Sequence, residues 1–221
     1  MVIPLLNEAG GLPRLLQRLR ECAPDELVLV DGGSSDGTAQ ILQESGHRWL
    51  TSEPGRAVQM NAGSKVCNSN IILFLHADTE ISSDNIEFLR GLSLSSEIVG
   101  GRFDVRLSGS HAALRVIEWF MNLRSRLSRI STGDQAMFVR RDVFEAMGGF
   151  SEIPLMEDIE FSRRLKQRGK TACLRQKVST SSRRWEGHGM VRTVLLMWRL
   201  RLLYWLGVSP EKLADMYRDA R

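Results

Sequence analysis

Three short runs are apolar at every position: Val2-Ile3, Leu27-Val28-Leu29-Val30 and Ile71-Ile72-Leu73-Phe74-Leu75. Stretches with helical spacing lie between and after them. Leu12, Leu15, Leu16 and Leu19 mark the first, and others are expected near 36–45 (closed by Gly46), 56–67 and 84–92. A strand that is apolar on both faces must be covered on both. Alternation of such strands with helices therefore predicts an α/β fold around a parallel sheet. Beyond residue 98 the pattern changes. Phe103, Val105 and Leu107 alternate with polar residues, as in a half-exposed strand. A basic amphipathic stretch (111–130), a strand entry (133–141), a Gly-Gly-Phe turn (148–150) and a helix over 156–170 follow. That last helix has acids at its start and bases at its end, which suits the helix dipole.

At 221 residues, with no repeat or linker, one domain is the economical reading. The net charge of +4 comes from arginine, since only five of the 30 basic residues are lysine. No basic run alternates with aromatics, so no nucleic-acid partner is expected. Cys22, Cys67 and Cys173 are far apart and lack a CxxC spacing. Small buried hydrophobes fit them better than zinc ligands or a disulfide framework. "MVIPLLNE" has no basic segment ahead of its apolar residues, and the cytoplasm is the expected location.

In an open α/β sheet, ligands bind beyond the carboxyl ends of the strands. Three polar clusters follow strand-like runs: Asn7-Glu8, Asp31 to Asp36, and His76-Ala77-Asp78. A parallel sheet brings all three to one edge. "VDGGSSDGT" (30–38) is neither a GxGxxG fingerprint nor a phosphate-binding P-loop. Its acids would repel phosphate unless a metal or arginines intervened; they suit a base, a ribose or a cation. Ser34, Ser35 and Asp36 read equally as helix caps. Asp31, directly after the strand and before two glycines, is the stronger functional candidate.

"VIPLLNE" (2–8), "VDGGSSDGT" (30–38), "GRAVQMNAG" (55–63), "FLHADT" (74–79), "GDQAMFVRR" (133–141) and "MEDIEFSRRL" (156–165) resemble, in this order, a family 2 glycosyltransferase of GT-A fold. With Ser182-Arg183-Arg184-Trp185-Glu186, the resemblance narrows to a small bacterial group labelled as associated with radical-SAM and selenium domains. It implies a mixed, mostly parallel sheet flanked by helices, with a C-terminal helical extension. It also implies a nucleotide-sugar-binding half (1–98), an acceptor and catalytic half (99–188) and an apolar, basic helical segment (189–221).

The resemblance implies an inverting, metal-dependent transfer of a sugar from a nucleoside diphosphate-sugar, UDP-linked in many members, to an acceptor hydroxyl. It places Pro4, Asn7, Glu8, Asp31, Ser34, Arg56, Asn61 and His76 around the donor. Asp134, Arg184 and Trp185 stand toward the acceptor or the diphosphate. Asp78 is implied to hold a divalent metal, Mn2+ or Mg2+, with His188 completing the site from the C-terminal side. Glu157 and Asp158 carry the general base. The chemistry is consistent: a hard cation suits carboxylates and makes diphosphate a good leaving group, while a positioned carboxylate can take the acceptor proton. A helix start stabilises the Asp158 anion and weakens it as a base. Two departures stand out. The first acid of the DxD element is His76, which shares a face with Asp78 on an extended strand, and the second motif reads Asp31-Gly32.

Residues 189–208 contain no acid but are interrupted by Arg192, Arg199 and Arg201, so they do not read as a membrane span. A helix this apolar must pack on the domain, on a second copy of the chain or on a membrane surface, the last being suited to a lipid-linked acceptor. Two other functions compete. A sugar nucleotidyltransferase would need a basic glycine-rich N-terminal loop, and "PLLNEAGGLPR" bears an acid. A nucleotide-sugar binder or membrane-docking protein without turnover would release no nucleoside diphosphate.

Overall fold

The computed structural model of the chain describes residues 1–92, 97–183 and 189–219. Strands β1 (Val2–Leu5), β2 (Val28–Asp31), β3 (Trp49–Thr51) and β4 (Ile71–Phe74) alternate with helices α1 (Leu12–Cys22), α2 (Thr38–Glu44) and α3 (Arg56–Lys65). β5 (Thr79–Glu80), α4 (Ser83–Leu92), β6 (Ile98–Leu107) and α5 (Ala112–Ser128) follow. Next come a 3-10 turn (Gly133–Gln135), β7 (Met137–Arg140), α6 (Arg141–Ala146), α7 (Glu157–Leu165) and β8 (Lys170–Thr180). Helices α8 (Met190–Trp205) and α9 (Pro210–Asp219) complete the described chain.

Among the described residues the sheet runs β3-β2-β1-β4-β7-β6-β8-β5. β3, β2, β1 and β4 are parallel. β7 runs antiparallel between β4 and β6. β8 is parallel to β6, and β5 closes the edge antiparallel to β8. This is the mixed sheet that the family resemblance implies; the apolar runs mark its parallel strands β1, β2 and β4.

Strand alternation explains why those runs are apolar throughout. Ile3, Leu5 and Leu29 enter a core with Leu12, Leu15, Leu16, Leu19 and Leu42. Val2, Val28 and Val30 enter a second core on the other face, with Ala57, Met60 and the ring cluster Phe74, Phe144, Phe150 and Phe161. Helix α3 lies close because of Gly63: a Cβ there would fall 2.5 Å from Val2 Cγ1 and 2.8 Å from Val30 Cγ2.

One expectation fails here. β6 is not half-exposed: Arg102 and Asp104, on its polar face, are buried along with its apolar residues. The cause is α5. Asp104 pairs with Arg102 and with Arg126 of α5. Asn122 of α5 accepts from Val105 N–H at 2.9 Å and donates to Val105 C=O at 3.0 Å. Polar alternation therefore marks a face covered by a hydrogen-bonding helix rather than by water.

The C-terminal segment packs on the domain. Leu200 and Leu213 are buried against Met156 and Ile159 at the start of α7, with Leu196, Met197, Leu203 and Tyr204 around them. The opposite side of α8 stays open: Val191, Leu195, Trp198, Leu202, Trp205 and Leu206 are exposed. No described helix is long and apolar enough to cross a membrane. A cavity of about 300 Å3 lies by Met1, Ile71 and Arg90, at the starts of β1 and β4 and away from the candidate residues.

Candidate active site

The three polar clusters meet at the carboxyl ends of β1, β2 and β4, as the topology requires. The loops after β1 and β2 are stitched together. Asn7, in a left-handed conformation (φ 56°), accepts from Ser35 N–H at 2.9 Å. Its own N–H donates to Ser34 Oγ at 2.8 Å. Glu8 N–H donates to Thr38 Oγ1 at 2.9 Å, and Ala9 N–H to Asp36 at 3.0 Å. Asp36 also takes the Thr38 N–H at 3.1 Å, the capping role expected of it. Ser34 turns inward, donating its hydroxyl to the buried Asp31 at 2.5 Å. Asp31 thus shapes the loop through Ser34.

Gln59 of α3 fixes the strand ends below these loops. Its amide nitrogen donates to Leu5 C=O at 2.7 Å and Val30 C=O at 2.9 Å. A Cβ on Gly32 would lie 2.9 Å from that amide. The second-motif departure has a steric cause: this chain has a glutamine where a side chain at position 32 would sit.

The deeper part of the site centres on His76. A Cβ on Gly133 would strike the half-buried imidazole at 2.2 Å, so glycine is required for the 3-10 turn to lie against it. Gly133 N–H donates to Asp158 Oδ2 at 2.8 Å, and Ile159 N–H donates to Asp158 Oδ1 at 2.7 Å. Burial lowers the His76 pKa and the Arg56 charge lowers it further, against the pull of Asp78, Asp134 and Asp158. A neutral imidazole therefore stands among three carboxylates. At the outer end, burial raises the Glu8 carboxyl and the Asp78 charge adds to it, while Arg183 opposes. Asp78 thus acts on both Glu8 and His76.

Glu157 is buried at 2% exposure, with Oε1 2.9 Å from Arg56 Nε. Its Oε2 and the Oδ1 of Asp134 are buried without a hydrogen-bond partner among the described residues. Burial raises the Glu157 carboxyl to about 7; Arg56 opposes the shift and Asp158 adds to it. An unfolded glutamate titrates near 4.5. Between these values the folded chain holds the extra proton, so stability falls as pH rises through the window, by on the order of 3 kcal/mol. Glu157→Gln removes that titration. In urea unfolding of the metal-free chain, the stability of wild type minus that of the variant should decline from pH 4.5 to pH 7. A flat difference would show that Glu157 titrates as it does in water.

A sequence profile described as glycosyl transferase family 2 matches residues 1–148. The chain belongs to glycosyl transferase family 2. The undecaprenyl-phosphate 4-deoxy-4-formamido-L-arabinose transferase of Pseudomonas fluorescens (strain Pf0-1) is 31% identical, over 48% of this chain and 37% of its own length. Glycosyltransferase AglE of Haloferax volcanii is 28% identical, over 68% of this chain and 55% of its own. The chain thus spans well under two thirds of either relative. Mannosyltransferase PcManGT from Pyrobaculum calidifontis, solved with GDP-Man and Mn2+, superposes with a TM-score of 0.67 at 17% identity, over 99% of this chain and 68% of that one. Staphylococcus aureus TarS 1-349 gives 0.63 at 18%, over 88% and 64%. These structures share the GT-A fold with this chain. The narrower label tied to radical-SAM and selenium domains gains no support from the matches.

Within this family 2 domain, the structure brings Glu8, Asp78, His76, Arg56, Asp134, Glu157 and Asp158 into one region. Pro4 is buried inside β1. Asn61, expected beside the donor, is engaged elsewhere: its amide donates to Phe150 C=O and accepts from Phe150 N–H, both at 2.9 Å, holding the Gly148–Phe150 turn. Arg184, Trp185 and His188 lie outside the described residues. Sequence reading missed Arg124 of α5 and treated Arg201 of α8 only as a break in an apolar helix. Neither belongs to a motif, and only tertiary packing brings Arg124 within the influence of Asp134 and Asp158.

Proposed function

We propose that this chain transfers a sugar, with inversion, from a nucleoside diphosphate-sugar to an acceptor hydroxyl, using a divalent cation. The supporting observation is that Asp158, 80 positions after Asp78 in sequence, takes the Gly133 N–H at 2.8 Å, and Gly133 lies so close to His76, two residues before Asp78, that a Cβ there would fall 2.2 Å from the imidazole. Residues 1–98 would bind the donor and 99–188 the acceptor. The two stitched loops offer a preformed rim for the nucleoside, with Glu8 facing it and Arg183 positioned for diphosphate oxygens.

Among the described residues no three carboxylate, imidazole or thiolate side chains form a complete cation cage. That suits a hard cation held by one or two carboxylates and completed by substrate phosphates. Asp78 fits: it is exposed, and among the described residues its side chain takes a 3.4 Å approach of Thr79 Oγ1. When bound, such a cation supplies charge neutralisation to the departing diphosphate.

Asp158 is oriented by its two backbone donors and remains partly open, as a base at an acceptor hydroxyl must be. The unpartnered Asp134 Oδ1 is an acceptor for a sugar hydroxyl. Glu157 holds Arg56 in place beside the carboxylates. Inversion follows from a single displacement at the anomeric carbon. The bond to the new oxygen forms as the bond to diphosphate breaks, and the proton passes to Asp158. The undecaprenyl-phosphate in the name of the Pseudomonas relative and the open apolar side of α8, with Arg192 and Arg199 exposed along it, favour a membrane-borne acceptor reached by peripheral contact.

The test is a melting screen of UDP- and GDP-sugars, with and without Mn2+ or Mg2+. At 100 times its dissociation constant a ligand adds about 2.7 kcal/mol. For a domain of this size the melting point should rise by roughly 5–10 °C. No shift from any nucleotide-sugar under any cation would end the proposal.

A further inference from the structure

We infer that helices α8 and α9 are a positioning element for Asp158, and that transfer depends on their packing while donor binding does not. The inference rests on the transferase reading above in one respect, the role of Asp158 as the base. Both segments that orient Asp158 are backed by this pair of helices. Its carboxylate takes the N–H of Gly133 at 2.8 Å and that of Ile159 at 2.7 Å. Met156 and Ile159, on either side of the Glu157-Asp158 pair, are buried in one small core with Leu200 of α8 and Leu213 of α9. Ile130, three residues before Gly133, packs against the same core.

The rest of α7 is held by other means. Phe161 and Leu165 enter the core that contains the ring cluster. Arg164 donates to Met147 C=O at 2.9 Å and to Gly149 C=O at 2.8 Å. Glu157 is held from α3 by Arg56. Asp158 has no such side-chain partner among the described residues; its hydrogen bonds come from the two main-chain segments that the C-terminal helices support. Met156 sharpens the division. It enters α7 in the left-handed region, at φ 71° and ψ 15°, where a non-glycine residue persists only if its surroundings hold it. Its side chain is 7% exposed, and the small core shared with Leu200 and Leu213 is what covers it.

The donor side is built differently. The loops after β1 and β2 are tied to one another and, through the strand ends, to Gln59. Ile3, Leu5 and Leu29 of those strands belong to a separate core, on the α1 face of the sheet. A packing change at Leu213 should therefore reach the base and leave the donor rim in place. Misplacing a reacting group by about 1 Å costs on the order of 100-fold in rate.

Hydrogen exchange of the Gly133 amide, followed by NMR on the full chain, tests this without a substrate. Leu213→Ala should speed it by at least about 10-fold, and Leu213→Met, which keeps the volume, should restore it. Leu89→Ala deletes a buried leucine of α4 from the other core and should leave the Gly133 amide within about 2-fold of wild type. UDP or GDP with Mn2+ should bind Leu213→Ala within about 2-fold of wild type, while nucleoside diphosphate release from the nucleotide-sugar found by the melting screen falls about 10- to 100-fold. Leu213→Val carries the same comparison should the alanine variant not fold. An unchanged Gly133 amide, or equal acceleration in Leu213→Ala and Leu89→Ala, would overturn the inference. So would unchanged release, or a loss of UDP and GDP binding that matches the loss of release. If the Gly133 amide follows Leu213 while wild type turns over no nucleotide-sugar, the packing link stands and the transferase reading falls. If nucleotide-sugar is turned over and the amide ignores Leu213, the reverse holds.

Discussion

Asp158→Asn should keep nucleotide-sugar binding and lose transfer by about 10²–10⁴-fold, the usual contribution of a positioned base. The substitution preserves shape and removes the only group at this position able to take a proton. Asp158 receives N–H bonds from Gly133 and Ile159, and an asparagine oxygen can satisfy only one of them. A small fall in melting point is therefore expected alongside the catalytic loss. The measurement is nucleoside diphosphate release with the donor and cation found by the melting screen, against donor affinity from the same preparation. Release within tenfold of wild type would move the base elsewhere, with Glu157 as the next carboxylate to examine. A parallel loss of donor affinity would instead assign Asp158 to the donor.

Asp78→Ala should abolish the cation-dependent part of nucleotide binding, on the order of 100-fold in affinity at saturating Mn2+. In the absence of cation the expectation reverses. Asp78 then contributes only negative charge beside Glu8, and removing it should improve, or leave unchanged, the binding of a diphosphate. The decisive quantity is the ratio of UDP or GDP affinity with and without metal. Wild type should show a large ratio and the variant a ratio near one. A variant that keeps the wild-type ratio would remove Asp78 from the cation site, whatever its activity.

The N-terminal half was the legible part of the fold, because strands buried on two faces must be apolar at every position and helices between them must be periodic. β1, β2, β4 and α1 to α4 fall where those patterns stand. β3 and β5 have three and two residues, too few to carry a period. β6 misled because Arg102 and Asp104 look solvated in sequence; their partners Asn122 and Arg126 lie on a helix that only the fold brings across them. In the site, Glu8, Asp78 and Asp158 could be picked out because they follow strands or open a helix. Asn61 could not be separated from them by residue type, yet it serves the turn at Phe150. Arg124 sits inside an amphipathic helix whose apolar periodicity passes over it.

Gln59 ties carbonyls near the ends of β1 and β2, those of Leu5 and Val30, through one amide, so the gap between the two loops above is measured by backbone atoms rather than by side chains. The rim proposed for the nucleoside should behave as a fixed gauge. Diversification of the substrate range, natural or engineered, has its room in α5 and α8, where the gauge does not reach.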